Sequence, residues 1–254
     1  MKRNVLVVIA LALFLMTSCN TTETTLSDTT NGSTNQESDQ EKVTDSETIE
    51  VDTKKDAEEE IDYTSPDSIT VLVNKEYALP DGYEPKDLVV TNVRFPFTED
   101  DPKKQLRKEA AEALEQLFDA AEEEGHFLFA QSGYRSFERQ EAIFASNVEQ
   151  DGEEAANQYS ARPGESEHQT GLVMDITSEA VEFRLVEEFG DTPEGKWVAE
   201  NAYKYGFIIR YEKGKEDITG YQYEPWHLRY VGKKAAKTIY EQDLTLEEYV
   251  GVNK

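Results

Sequence analysis

Two short stretches hold most of the side chains able to do chemistry: "GESEHQTGLVMDI", Gly164 to Ile176, and "YEPWHLRY", Tyr223 to Tyr230. The chain has three histidines, His126, His168 and His227, and two of them fall here. His168 lies in a polar segment bracketed by glycines, seven residues before Asp175, which interrupts an otherwise apolar run. An ionised carboxylate is costly to bury unless it is paired or holds a metal, so Asp175 requires a partner and His168 is the nearest. His168, Asp175 and His227 form a three-ligand zinc set, with a fourth position open to water. Glu224, three residues before His227, would sit beside that water. Pro225 opposes a helical reading of E-P-W-H; a strand or strand entry would instead bring Glu224 and His227 into one cleft. Spacing leaves a second reading open, with His168 a solvated loop residue, Asp175 a helix or turn cap and His227 an edge-strand residue.

Other polar groups are less constrained. Ser132 and Gln140 flank Arg135; they could line a substrate cleft, or be a strand-end hydroxyl and a helix-surface amide. Trp226 could wall the site or pack in the core. His126 opens a strand after Gly125 and reads as structural or solvated. Ser166 does not make a serine nucleophile, because no base and orienter can be assembled for it without dismantling the zinc set.

These groups need a frame. "ITVLVN", Ile69 to Asn74, reads as a strand, followed by a turn-rich passage with Pro80 and Pro85. A helix is expected from Asp101 as N-cap and Pro102 at the first position to a stop at Gly125. Leu106, Ala110, Leu114, Leu117, Phe118 and Ala121 recur at helical spacing as its core face. "HFLFAQSGYRS" reads as a strand entering a loop, and Ser136 caps a second helix through about Val148. "GLVMDIT" is a short buried strand; Thr192 and Pro193 open a helix ending at Gly206; "FIIRY" and "PWHLRYV" are strands. "KKAAKTIYEQ" is helical, and Thr245 to Glu248 carry a capping-box pattern. Helices and strands mix without a regular βαβ period, which gives an α+β class, a single domain with a small antiparallel sheet flanked by helices.

The passages "SGYRSFERQEAIF", "SEHQTGLVMDI" and "EPWHLRYVG" together resemble the VanY-type D-alanyl-D-alanine carboxypeptidases, zinc peptidases that cut bacterial peptidoglycan. The family pattern S-x-H-x-x-G-x-x-x-D, followed much later by E-x-W-H, is matched in order and spacing. The resemblance extends over about Val71 to Val250. It implies that His168, Asp175 and His227 bind Zn2+, that Glu224 is the general base, and that Arg135 contacts the substrate carbonyl or its terminal carboxylate. It implies peptidoglycan stem peptides as substrate and removal of the terminal D-alanine from D-Ala-D-Ala ends. An L,D-carboxypeptidase acting on tetrapeptide stems and a non-catalytic wall-binding lipoprotein are the alternatives; intact Glu224 and all three ligands count against the last.

The whole chain has 254 residues and a formal net charge of −27. Duplex-binding proteins carry a basic footprint, so nucleic acid is not an expected partner, and no obligate protein partner is implied. Cys19 is the single cysteine, which excludes a disulfide framework. It follows Lys2, Arg3 and an apolar run from Val5 to Met16, too short to span a bilayer comfortably but suited to a signal h-region. This stretch resembles a bacterial lipoprotein signal, so 1–19 is expected to end at a lipidated Cys19 and to anchor the protein on the extracytoplasmic face of the membrane. Residues 20–66 carry 14 acidic and 3 basic side chains and almost no aromatics. Such a composition buries too little apolar surface to offset its ordering entropy, so it is expected to be a disordered tether. The zinc carboxypeptidase domain then occupies 67–254.

Overall fold

A computed structural model describes residues 61–252. The expected signal peptide, Cys19 and nearly all of the expected tether lie outside the described residues.

The centre is a four-stranded antiparallel sheet in the order β3-β4-β6-β5. Its strands are β3 (Phe129–Ser132), β4 (Val173–Thr177), β5 (Phe207–Tyr211) and β6 (Glu224–Tyr230). A two-stranded antiparallel ribbon pairs β1 (Leu88–Val90) with β2 (Gln105–Arg107). Helices α1 (Lys108–Glu123), α2 (Phe137–Asp151), α3 (Glu153–Tyr159), α4 (Pro193–Asn201), α5 (Glu216–Thr219), α6 (Lys233–Gln242) and α7 (Leu246–Tyr249) surround them. The expected α+β class and small antiparallel sheet are what the chain adopts.

Side chains alternate across β4, and both faces are buried. Met174 and Ile176 enter the main core with Leu228 of β6 and with Leu114, Leu117, Phe118 and Ala121 of α1. Each fully buried large apolar side chain contributes on the order of 1.5–3 kcal/mol, so α1 clamps the sheet from this side. The opposite face of β4 carries Asp175.

Four sequence expectations need correction. Asp101 does accept from the Lys103 N–H, but the element it caps is a single 3-10 turn, Pro102–Lys104. The chain then runs through β2 before α1 begins at Lys108, so Leu106 is buried from a strand and not from the helix. The segment from Ile69 to Asn74 is not a strand; its carbonyls at Ile69 and Val71 accept instead from the Arg229 guanidinium. The fold also begins earlier than residue 67. Asp62 accepts from the N–H groups of Thr64 and Ser65, Tyr63 O accepts from Leu72 N, and the Tyr63 ring packs edge-on against Tyr77. Finally, α3 has no counterpart in the sequence reading; Gly152, at φ 83°, separates it from α2.

Candidate metal centre

The sheet register assembles the site. Ser132 of β3 pairs with Asp175 of β4, and Asp175 pairs with His227 of β6, so the three lie in one row across adjacent strands. Glu224 and His227 are three residues apart, and in a regular strand they would face opposite sides. Pairing of β6 with β5 is irregular here: Ile209 faces Leu228, whereas Tyr211 faces Glu224. Pro225 has no N–H for the ladder, and the irregularity beside it re-aims the strand. Glu224 Oε2 thereby comes within 3.5 Å of His227 Nδ1.

His168 arrives on a 3-10 turn, Glu167–Thr170, which ends at Gly171 in the left-handed region, φ 67°. Its Nδ1 lies 2.8 Å from the Gly133 carbonyl. A carbonyl only accepts, so Nδ1 carries the proton and Nε2 presents its lone pair to the cluster. Gly133 is required for this approach, because a Cβ there would stand 2.6 Å from Gln105 O and 2.8 Å from Met174 Cε.

His168, Asp175 and His227 are all buried, and one candidate ligand atom from each lies within 4.8 Å of the others. His168 Nε2 is 3.4 Å from Asp175 Oδ2, and His227 Nδ1 is 3.2 Å from Asp175 Oδ1. Donors placed 2.0–2.2 Å from a tetrahedral zinc stand roughly 3.3 Å apart, so these separations suit a common ion. Asp175 Oδ1 is fully buried yet accepts no well-aligned hydrogen bond. Oxygen and nitrogen donors converging without hydrogen bonding one another is the arrangement that co-ligands adopt. The residues present fit a zinc ion, with Nε2 of His168, the Asp175 carboxylate and Nδ1 of His227 as the donor set.

Charge in the metal-free cluster follows from its surroundings. Burial pushes His168 down to about 3, which keeps it neutral. Burial also opposes charge on His227, but the carboxylates of Asp175 and Glu167 beside it outweigh it and lift this histidine to about 9. Burial would raise Asp175, yet its neighbours His168 and His227 hold it below the ordinary value. Glu224 moves the other way, up to about 7, chiefly through burial. A carboxylate poised near neutrality beside an incipient metal site is suited to taking and returning a proton.

Arg135 is half-buried. Its Nη1 donates to Gln140 Oε1 at 2.9 Å and its Nη2 to Ser132 Oγ at 3.4 Å. Gln140 is 1% exposed and spends its amide N–H on the Ala161 carbonyl. Gln140 is therefore not a helix-surface amide: it borders the cleft over the metal cluster and, from there, fixes the direction of Arg135. Trp226 satisfies both readings made of it: it packs against the core and lines the cleft. His126 lies beside Trp197, ring centroids 6.0 Å apart, and is absent from the cluster. The cleft over the metal cluster encloses about 240 Å³. A second cleft of about 610 Å³, bordered by Tyr83, Tyr134 and Phe137, adjoins it at Arg135.

Comparison with known proteins places the chain in a family. Residues 103–233 match the family model of VanY, D-alanyl-D-alanine carboxypeptidase. The chain belongs to the VanY family. It is 62% identical over 185 residues to the Bacillus subtilis (strain 168) protein named "Putative carboxypeptidase YodJ", covering 73% of this chain and 68% of that one. Its fold is similar to the solved LdcB LD-carboxypeptidase, with a TM-score of 0.72 and 61% identity over 74% of this chain and 88% of that one. It is also similar to a variant of the vancomycin resistance D,D-pentapeptidase VanY solved with Zn(II), with a TM-score of 0.57 and 34% identity over 72% of this chain and 98% of that one.

In this VanY-family carboxypeptidase, sequence reasoning missed one group of polar residues around the cluster. Glu167, Arg210, Arg229 and Glu247 are each at most 2% exposed and are joined by ion pairs of 2.6–2.8 Å. Tyr211, buried at the end of β5 and bordering the cleft, sets its ring 4.8 Å from that of His227 at a tilt of 45°. A signal was available. Arg210 in "FIIRY" and Arg229 in "PWHLRYV" interrupt apolar strands as Asp175 does, and a buried guanidinium needs a carboxylate as surely as a buried carboxylate needs a cation.

Proposed function

We propose that the protein is a zinc L,D-carboxypeptidase that removes the terminal D-alanine from tetrapeptide stems of peptidoglycan. The observation that carries this reading is the 61% identity to the LdcB LD-carboxypeptidase, whose solved structure is described in terms of peptidoglycan recognition, over 88% of that chain. The assigned roles are His168, Asp175 and His227 as ligands, Glu224 as general base and Arg135 as the grip on the substrate.

Zinc, when bound, polarises the scissile carbonyl and acidifies water. The remaining steps belong to the chain. Arg135, preset by Gln140 and Ser132, holds the free carboxylate of the stem or its reacting carbonyl by charge-assisted hydrogen bonds. Glu224 accepts a proton from the attacking water and delivers it to the leaving amine as the C–N bond breaks. The products are a shortened stem with a new carboxylate and free D-alanine. The second cleft at Arg135 offers room for the rest of a stem peptide.

A D,D-carboxypeptidase acting on D-Ala-D-Ala ends is the second reading, favoured by the description of the matched family and by the likeness to VanY. Defined tetrapeptide and pentapeptide stems, digested and analysed by mass, separate the two. Release of D-alanine from the tetrapeptide supports the first. Release from the pentapeptide alone replaces it with the second, and cleavage inside a stem whose terminal carboxylate has been amidated excludes both.

We propose further that Cys19 carries a lipid, and that residues 20–60 tether the domain at the extracytoplasmic face of the membrane. The apolar run before Cys19 and the acidic composition after it support this.

A further inference from the structure

We infer that Glu167 is a positioning residue for the metal centre, acting through His227 and held in place by a buried arginine clamp. This inference rests on the zinc reading above.

Glu167 precedes His168 in the chain but serves the other histidine. Its Oε2 lies 3.2 Å from His227 Nε2. Its Oε1 accepts from Arg210 Nε at 2.8 Å and from Arg229 Nη1 at 2.7 Å. Both guanidiniums are fixed in turn. Arg210 donates to both oxygens of Glu247 on α7, and Glu247 also accepts from Asn74. Arg229 donates to the carbonyls of Ile69 and Val71.

The two oxygens of Glu167 therefore have separate tasks. Two guanidinium donors occupy Oε1 and keep the carboxylate ionised. An ionised carboxylate only accepts, so Oε2 draws the proton of His227 to Nε2. Nδ1, facing Asp175, is then the nitrogen that offers its lone pair where the metal belongs, once the second proton that His227 holds in the metal-free fold has left. His168 reaches the same state through a neutral carbonyl, so the two ligand histidines are fixed by different acceptors and offer different nitrogens. Fixing the ring and tautomer of a ligating histidine from outside is worth about 10–100-fold in metal affinity.

Stability alone does not account for the clamp. Replacing a buried ion network with apolar residues of similar volume is often neutral or stabilising. Four charged side chains in a core that apolar ones could fill point to a positional task, and the one acceptor atom the clamp leaves free is the atom facing His227.

Glu167→Gln tests this. The amide keeps the shape but has one acceptor oxygen. Two arginine N–H groups compete for it against one imidazole, so the oxygen turns to the arginines and the NH2 faces His227. Nε2 must then accept, the proton moves to Nδ1, and the metal position is blocked. Zinc affinity, measured by competition with a chromophoric chelator, should fall about 10–100-fold while circular dichroism and cooperative unfolding persist. Independently, a long-range proton–nitrogen spectrum of the zinc-loaded wild type should show His227 metallated at Nδ1 and protonated at Nε2. Glu167→Gln binding zinc within twofold of wild type, or wild-type His227 metallated at Nε2, overturns the inference. Should the variant not fold, the wild-type spectrum decides alone. A wild type that binds no zinc refutes the underlying zinc reading instead.

Discussion

At the scale of residues, the proposed function separates ligand, base and grip, and each has its own signature. Glu224 touches the cluster without belonging to the closest donor set. Glu224→Gln should keep zinc, measured by elemental analysis, and lower turnover by about 10²–10⁴-fold, the usual worth of a general base. Loss of zinc from this variant would make Glu224 a ligand. Arg135→Ala should retain fold and zinc and raise the barrier by roughly 3–4 kcal/mol, or two to three powers of ten in kcat/KM. Gln140→Ala should produce a smaller fall in the same direction, because it frees Arg135 without removing it. If Gln140→Ala proves as damaging as Arg135→Ala, Gln140, which borders the cleft, itself handles substrate. The cluster of His168, Asp175 and His227 was legible in the sequence because polar residues in apolar strands must find partners. Glu167 was not, because it sits in a polar run where an acid needs no special explanation, and its burial depends on two arginines 43 and 62 positions downstream.

At the scale of elements, β4, β6, the second helix and the capping box around α7 emerged where local pattern placed them, since each is defined by its own caps and periodicity. What pattern could not supply was register and strand irregularity. Asp175 stands opposite His227 only through pairing between strands about 50 residues apart, and Glu224 joins them only through the break beside Pro225. The start of α1 was misjudged because Asp101-Pro102 is as good a signal for one 3-10 turn as for a helix, and pairing with β1 pulls the next three residues into a ribbon. The loop after β3 is a further case of long-range control. Gly133 fits between Gln105 O, Lys103 O and Met174 and lends its carbonyl to His168. Gly133→Ala should therefore displace that carbonyl. It should weaken zinc binding by at least about tenfold and lower stability by about 1–3 kcal/mol, the usual cost of overpacking. Chelator competition and urea unfolding measure the two effects. Unchanged zinc affinity in a destabilised variant would show that the Gly133 carbonyl is not needed to orient His168.

At the scale of the whole molecule, metal, protons and stability are linked. In the metal-free protein His227 is raised to about 9 from an ordinary 6.5. A group raised in the folded state contributes stability that is full below the unfolded value and is lost as pH rises through the folded one. Glu224, raised to about 7 from 4.5, acts in the same sense at lower pH. Asp175 and Glu167, both held below their ordinary values, contribute a constant amount above about pH 5. So does His168 above about pH 7, since its depressed value near 3 keeps it neutral in the fold and its contribution is lost only as pH falls. The metal-free domain should thus lose stability between about pH 6.5 and 9. Zinc takes the place of the His227 proton, so its binding releases protons and tightens as pH rises, and a ligand present at 100 times its Kd adds about 2.7 kcal/mol to folding. The two trends oppose each other. The difference in Tm between zinc-loaded and chelator-treated protein should widen steadily from pH 6 to pH 9. Calorimetric titration near pH 7 in buffers of different ionisation enthalpy should show about one proton released per zinc. A Tm difference that narrows with pH, or zinc binding without proton release, would mean that His227 holds no displaceable proton in the metal-free fold.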